Sequence, residues 1–63
     1  MNAKQLERII VKDGWVLKKQ KGSHQQFMHP IKTGKVTIAV HGKRDIKINT
    51  LKSILKQAGI NIK

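Results

Sequence analysis

The chain has 63 residues, with 14 Lys and Arg against three acidic residues, a formal charge of +11 and no cysteine. A chain this short buries only about 60% of its unfolded surface, which excludes deep pockets and large cofactors and leaves room for one modest core. The lack of cysteine excludes disulfides, thiolate metal sites and a cysteine nucleophile, and no apolar run is long enough to span a bilayer or serve as a secretory signal, so a cytoplasmic protein is expected.

So large a positive excess implies a polyanionic partner, and nucleic acid is the commonest one. Small basic proteins also bind acidic proteins or ribosomes. The apolar content is 38%, and those residues are spaced to make faces, which argues for one folded domain over 1–63 rather than a basic tail.

Asn2 and Gln5 have the spacing of a capping box, and Ala3, Leu6, Ile9 and Ile10 recur at helical intervals. The first element is therefore an amphipathic helix ending at Asp13, with Gly14 as its left-handed cap. Val11 falls outside the apolar stripe. Trp15 to Gln20 reads as a strand, Trp15 and Leu17 on one face and Val16 and Lys18 on the other. Lys21, Gly22 and Ser23 signal a turn, and His24 to His29 a second strand that Pro30 ends by removing a ladder donor. After a turn around Lys32-Thr33-Gly34, Val36 to Val40 forms the clearest strand, with Val36, Ile38 and Val40 inward and Thr37, Ala39 and His41 outward. The last helix is expected to begin at Asn49 or Thr50, both capable N-caps, and to bury Leu51, Ile54, Leu55 and Ala58. Gly59 ends it, with Ile60 folding back onto Leu55.

The order is helix, three strands, helix. A three-stranded antiparallel sheet with both helices on one face buries the apolar stripes and leaves the other face open, a two-layer α+β domain resembling the double-stranded RNA-binding fold. With one Trp, one Phe and no Tyr, the composition does not support an aromatic base-stacking surface.

Strand side chains alternate, so residues three apart face opposite sides; if Phe27 is in the core, His24 faces solvent beside the tight turn. Free imidazole titrates near pH ~6.5, so a ring held there has the chemistry of a general base. The same position equally suits a solvated polar residue at a strand end. Pairing Phe27 with Ile38 would set His24 opposite His41, two imidazoles sharing one site on the open face. The loop His41-Gly42-Lys43-Arg44-Asp45 emerges there, where Lys43 and Arg44 are placed to hold a phosphate. His29 has the parity of Phe27 and is a weaker candidate. The three histidines lack the short spacings of metal ligands, and with only three carboxylates available no metal or other cofactor is expected.

Gly14-Trp15, Gly22-Ser23-His24 with Phe27, Val40-His41-Gly42, and the run Thr50 to Ile60 together resemble the HicA toxin family of bacterial toxin-antitoxin pairs, in order and over nearly the whole chain. One departure is Ile48, where many relatives carry a proline that starts the second helix. The resemblance implies an mRNA interferase with a double-stranded-RNA-binding-like fold, His24 as catalytic residue, and a cognate HicB antitoxin that occludes it. On that reading His24 takes the proton of a ribose 2′-OH, Lys19, Lys21, Lys43 and Arg44 hold the backbone phosphate, Gly22 and Ser23 position the turn, and His41 is a second acid or an orienting residue. The alternatives are a non-catalytic module that grips A-form RNA through a basic sheet face, and a DNA-binding regulator, which the lack of helix-turn-helix spacing disfavours.

Overall fold

The computed structural model describes residues 1–40, 42 and 44–61. Helix α1 covers Ala3–Lys12, strands β1, β2 and β3 cover Val16–Lys21, His24–Met28 and Lys35–Ala39, and helix α2 covers Ile48–Gln57. The strands form one antiparallel sheet in the order β1-β2-β3. The expected α-β-β-β-α architecture is the one observed, with both helices on one side of an open sheet.

Helix α1 starts where its sequence says it should. The Asn2 side chain accepts the Gln5 amide while the Gln5 side chain accepts the Asn2 amide, both at 2.9 Å, so two amides with no intrahelical partner are satisfied. It buries Ala3, Leu6 and Ile10, whereas Val11 stays exposed. At its end Gly14 has φ +110°, and a Cβ there would lie 2.6 Å from His29 Nε2; both the backbone angle and the close approach require glycine. The Trp15 amide then reaches back to the Ile10 carbonyl at 3.1 Å.

The core joins that helix face to Trp15, Phe27, Val36 and Ile38 below and to Ile54 and Ala58 of α2 above. Both helices pack chiefly on β3, which leaves β1 farthest from their cover. That asymmetry corrects part of the strand assignment. Leu17 lies opposite Phe27, on the core side of the ladder, yet it is 41% exposed because no helix reaches it. Strand β1 also begins at Val16 and continues to Lys21, one residue later at each end than the sequence suggested.

Two further corrections concern register. Phe27 pairs with Val36 rather than Ile38, so the residue opposite His24 is Ala39 and not His41. His41 itself lies outside the described residues. The slip is two residues, which keeps every side chain on its expected face. In β1 the pairing jumps between Leu17 and Lys19, a bulge at Lys18. A bulge inserts one unpaired residue and so inverts the alternation beyond it. Unbroken alternation from Leu17 would have turned Lys19 and Lys21 toward the core; the bulge puts them on the open face.

Helix α2 starts at Ile48, earlier than Asn49 or Thr50, and its N-cap Lys47 makes no side-chain capping bond. The preceding loop decides this. An antiparallel bridge joins Asn2 to Asp45, and the Ile46 amide donates to the Met1 carbonyl at 2.8 Å, so the chain is pinned to the start of α1 just before it turns into the helix. Leu51 then bonds back to the Lys47 carbonyl at 2.9 Å, which makes Ile48 the first helical residue. At the far end the Ile60 amide donates to the Leu55 carbonyl at 2.9 Å, the expected C-terminal fold-back.

Candidate RNA-processing face

The open face of the sheet follows from the register as three rows across the strands. Lys21, His24 and Ala39 form the first, Lys19, Gln26 and Thr37 the second, and Val16, Met28 and Lys35 the third. Among the described residues of these rows, three are lysines, one is a histidine and none is a carboxylate. The first row sits against the hairpin turn, where Gly22 has φ +58° and Ser23 does not share the positive sign, as a two-residue turn led by glycine requires. Nothing crowds Gly22, so its backbone angle alone demands glycine. The Val40 amide donates to the Ser23 carbonyl at 2.7 Å, which ties the turn to the end of β3 and holds His24 on paired backbone from both sides.

His24 is exposed, as the alternation argument expected, with Lys21 as its direct cross-strand neighbour. Directly opposed residues have Cβ atoms about 5 Å apart, so the Lys21 ammonium and the ring reach the same ligand atom. Lys19 stands one row away. The ring of His24 is bonded to no described residue. Arg44 is exposed and lines a cleft of about 360 Å³ between β3 and the two helices, with Ala3, Ile38, Ala39 and Ile54, and so lies toward the helical layer rather than on the open face. His41 and Lys43 lie outside the described residues.

His29 shows the contrasting case. Its Nε2 donates to the Asp13 carbonyl at 2.8 Å, and its Nδ1 accepts the Ile31 and Lys32 amides, each at 3.0 Å. Both nitrogens are committed, which fixes the tautomer with hydrogen on Nε2. The ring also meets Trp15 edge-on, centroids 5.3 Å apart. Around it, the Lys32 ammonium bonds the Asp13 carboxylate and the Ala58 and Gly59 carbonyls, while the Trp15 indole donates to Ala58 at 3.2 Å. The hydrogen bond from Lys32 holds the Asp13 carboxyl below its ordinary range, against a smaller opposing effect of desolvation. This cluster ties the end of α1, the end of β2 and the end of α2 together, and nothing in the spacing of Asp13, His29 and Lys32 announced it.

Residues 3–60 match the family described as HicA toxin of bacterial toxin-antitoxin. The chain belongs to the HicA toxin family. The match spans both helices and all three strands, so the helical layer and the open face fall within it together. As a HicA-family toxin, the chain implies a cognate antitoxin partner. No curated protein matches it closely enough to add to that. No described helix is long and apolar enough to cross a membrane.

Proposed function

We propose that this HicA-family toxin is an endoribonuclease of messenger RNA that needs no metal, with His24 as general base. The observation that carries the reading is the contrast between its two described histidines. One has both ring nitrogens engaged in structural bonds; the other makes no bond to any described residue and stands on the open face beside a cross-strand lysine.

RNA supplies its own nucleophile. Removing the 2′-OH proton lets that oxygen attack the adjacent phosphorus, the P–O5′ bond breaks, and a 2′,3′-cyclic phosphate and a 5′-hydroxyl result, the leaving oxygen taking up a proton. What the protein must add is a base and positive charge for the crowded phosphorane. We assign the first to His24 and the second to Lys21 and Lys19, whose shared face supports that reading. A positioned base contributes roughly a hundred- to ten-thousand-fold, enough for a toxin that acts by slow cleavage of many messages. Arg44 and Lys43 are further candidates to hold the backbone phosphate, and His41 is the candidate proton donor to the leaving oxygen.

Inhibition follows from the same placement. An exposed ring in a field of cations is masked by an acidic protein surface, and we assign that part to a HicB-type antitoxin. The deciding measurement is RNA cleavage by the wild type and by His24→Ala with EDTA present. Cleavage by the wild type alone, leaving cyclic phosphate ends, is expected; cleavage that returns only with an added divalent ion, or that His24→Ala retains, rejects the reading. Binding without cleavage by both proteins would favour the alternative of an RNA-gripping module.

A further inference from the structure

In the row beside His24, Gln26 and Thr37 have no part in the chemistry above. Gln26 occupies its centre, on the middle strand, with Lys19 opposite on one side and Thr37 opposite on the other. Alternate residues of a strand are separated by about 7 Å, so this row lies within reach of the nucleotide next to the one whose phosphate meets His24. Gln26 is half-buried and its amide bonds to no described residue. Its sequence neighbour Gln25 differs: it points to the other side of the strand and donates to Gln20 at 3.5 Å. The third row adds an apolar pair, Val16 and Met28, 48% and 49% exposed on the open face of a chain of charge +11.

We propose that Gln26, with Thr37 beside it, reads the base adjoining the scissile phosphate of single-stranded RNA, and so sets where the chain cuts. This rests on the ribonuclease reading of His24. The argument is one of chemistry and elimination. Bases on a single strand are recognised by stacking or by their hydrogen-bonding edges. The only Trp and the only Phe are both buried, and the one described ring on this face, His24, is engaged as the base, so edge recognition is the mode left to this row. A carboxamide offers a donor and an acceptor in one plane, the pattern that pairs with a base edge, and Thr37 adds a hydroxyl within the same row. Val16 and Met28 give the flat face of the base an apolar surface to lie against. Position on paired strands of the sheet fixes the distance between reading and cutting.

The test maps cut sites on a pool of random-sequence single-stranded RNA, in EDTA, for the wild type, Gln26→Ala, Gln26→Glu and Thr37→Val. Each profile is normalised to its own total, because any of these variants is free to lower the rate. The wild type is expected to prefer particular bases at one position beside the cut. Gln26→Ala should lose roughly tenfold or more of that preference at that position alone. Gln26→Glu keeps the acceptor and loses the donor, so its preference should move toward bases that present a donor, such as cytosine. Profiles of the glutamine variants that match the wild type overturn the inference while leaving the nuclease standing. So does an unchanged profile accompanied by weaker antitoxin binding, which would assign the row to the protein partner. A wild type that cuts nothing in EDTA fails the reading beneath.

Discussion

The two described histidines make opposite predictions under the same substitution. His24→Ala removes an exposed ring with no bond to any described residue, so unfolding stability should stay within about 0.5 kcal/mol of the wild type while RNA cleavage disappears. His29→Ala removes bonds to three backbone groups and the edge contact with Trp15, and should cost about 2 to 4 kcal/mol with cleavage per folded molecule retained. Urea unfolding and a cleavage assay on both variants check the pair. Asp13 carries the acid sensitivity of the same cluster. Its folded carboxyl is held low by Lys32, so its contribution to stability is present above the unfolded carboxylate value near pH ~3.9 and fades as pH falls through the lower folded one. Asp13→Asn should therefore flatten the acid limb of a urea-midpoint profile and lower the plateau at neutral pH. Unchanged steepness in acid would show that Asp13 is not the group responsible.

At the level of elements, Ile48 offers a direct gain. It is the first residue of α2, it is 61% exposed, and Lys47 before it has φ −59° and ψ 140°, the extended shape that a following proline demands. Ile48→Pro should raise stability by about 0.4 to 1 kcal/mol, read as a higher urea midpoint, chiefly by restricting the unfolded chain. Helix α1 could be read from sequence because its cap and apolar stripe agree, down to the Asn2–Gln5 box. Helix α2 showed its apolar stripe but not its start, which the loop pinned to α1 sets at Ile48. The side of the sheet on which His24 stands was equally legible, from its odd spacing to Phe27. Register was not, because Val36 and Ile38 are both buried and either one opposite Phe27 satisfies the same apolar pattern. The bulge left still less trace: Lys18 to Lys21 is polar at every position, so there was no alternation for it to interrupt. Deleting Lys18 should restore a regular ladder that keeps Lys19 opposite Gln26 and Lys21 opposite His24 on the open face, with a preserved circular dichroism spectrum and RNA affinity retained. Inserting a residue after Lys18 should instead disturb that pairing and weaken RNA binding.

For the whole molecule, charge and layering act together. The helices occupy one side of the sheet and claim nearly all the apolar burial, so the cations of the other side remain available to a polyanion. RNA affinity should fall steeply with salt, and replacing Lys19 or Lys21 with Ala should each reduce the slope of log K against log salt by about 0.7 to 1. A slope unaffected by both would place the RNA elsewhere.

The bulge and the lysines around it also govern how this chain behaves in company. Strand β1 ends the sheet, and its outer backbone groups have no neighbouring strand to bond. Such a margin is a template for stacking one copy on the next, and an irregular twist flanked by repeated like charge is how natural sheets prevent it. A small protein must not polymerise through its own border, and here the lysines of the open face also keep identical molecules apart.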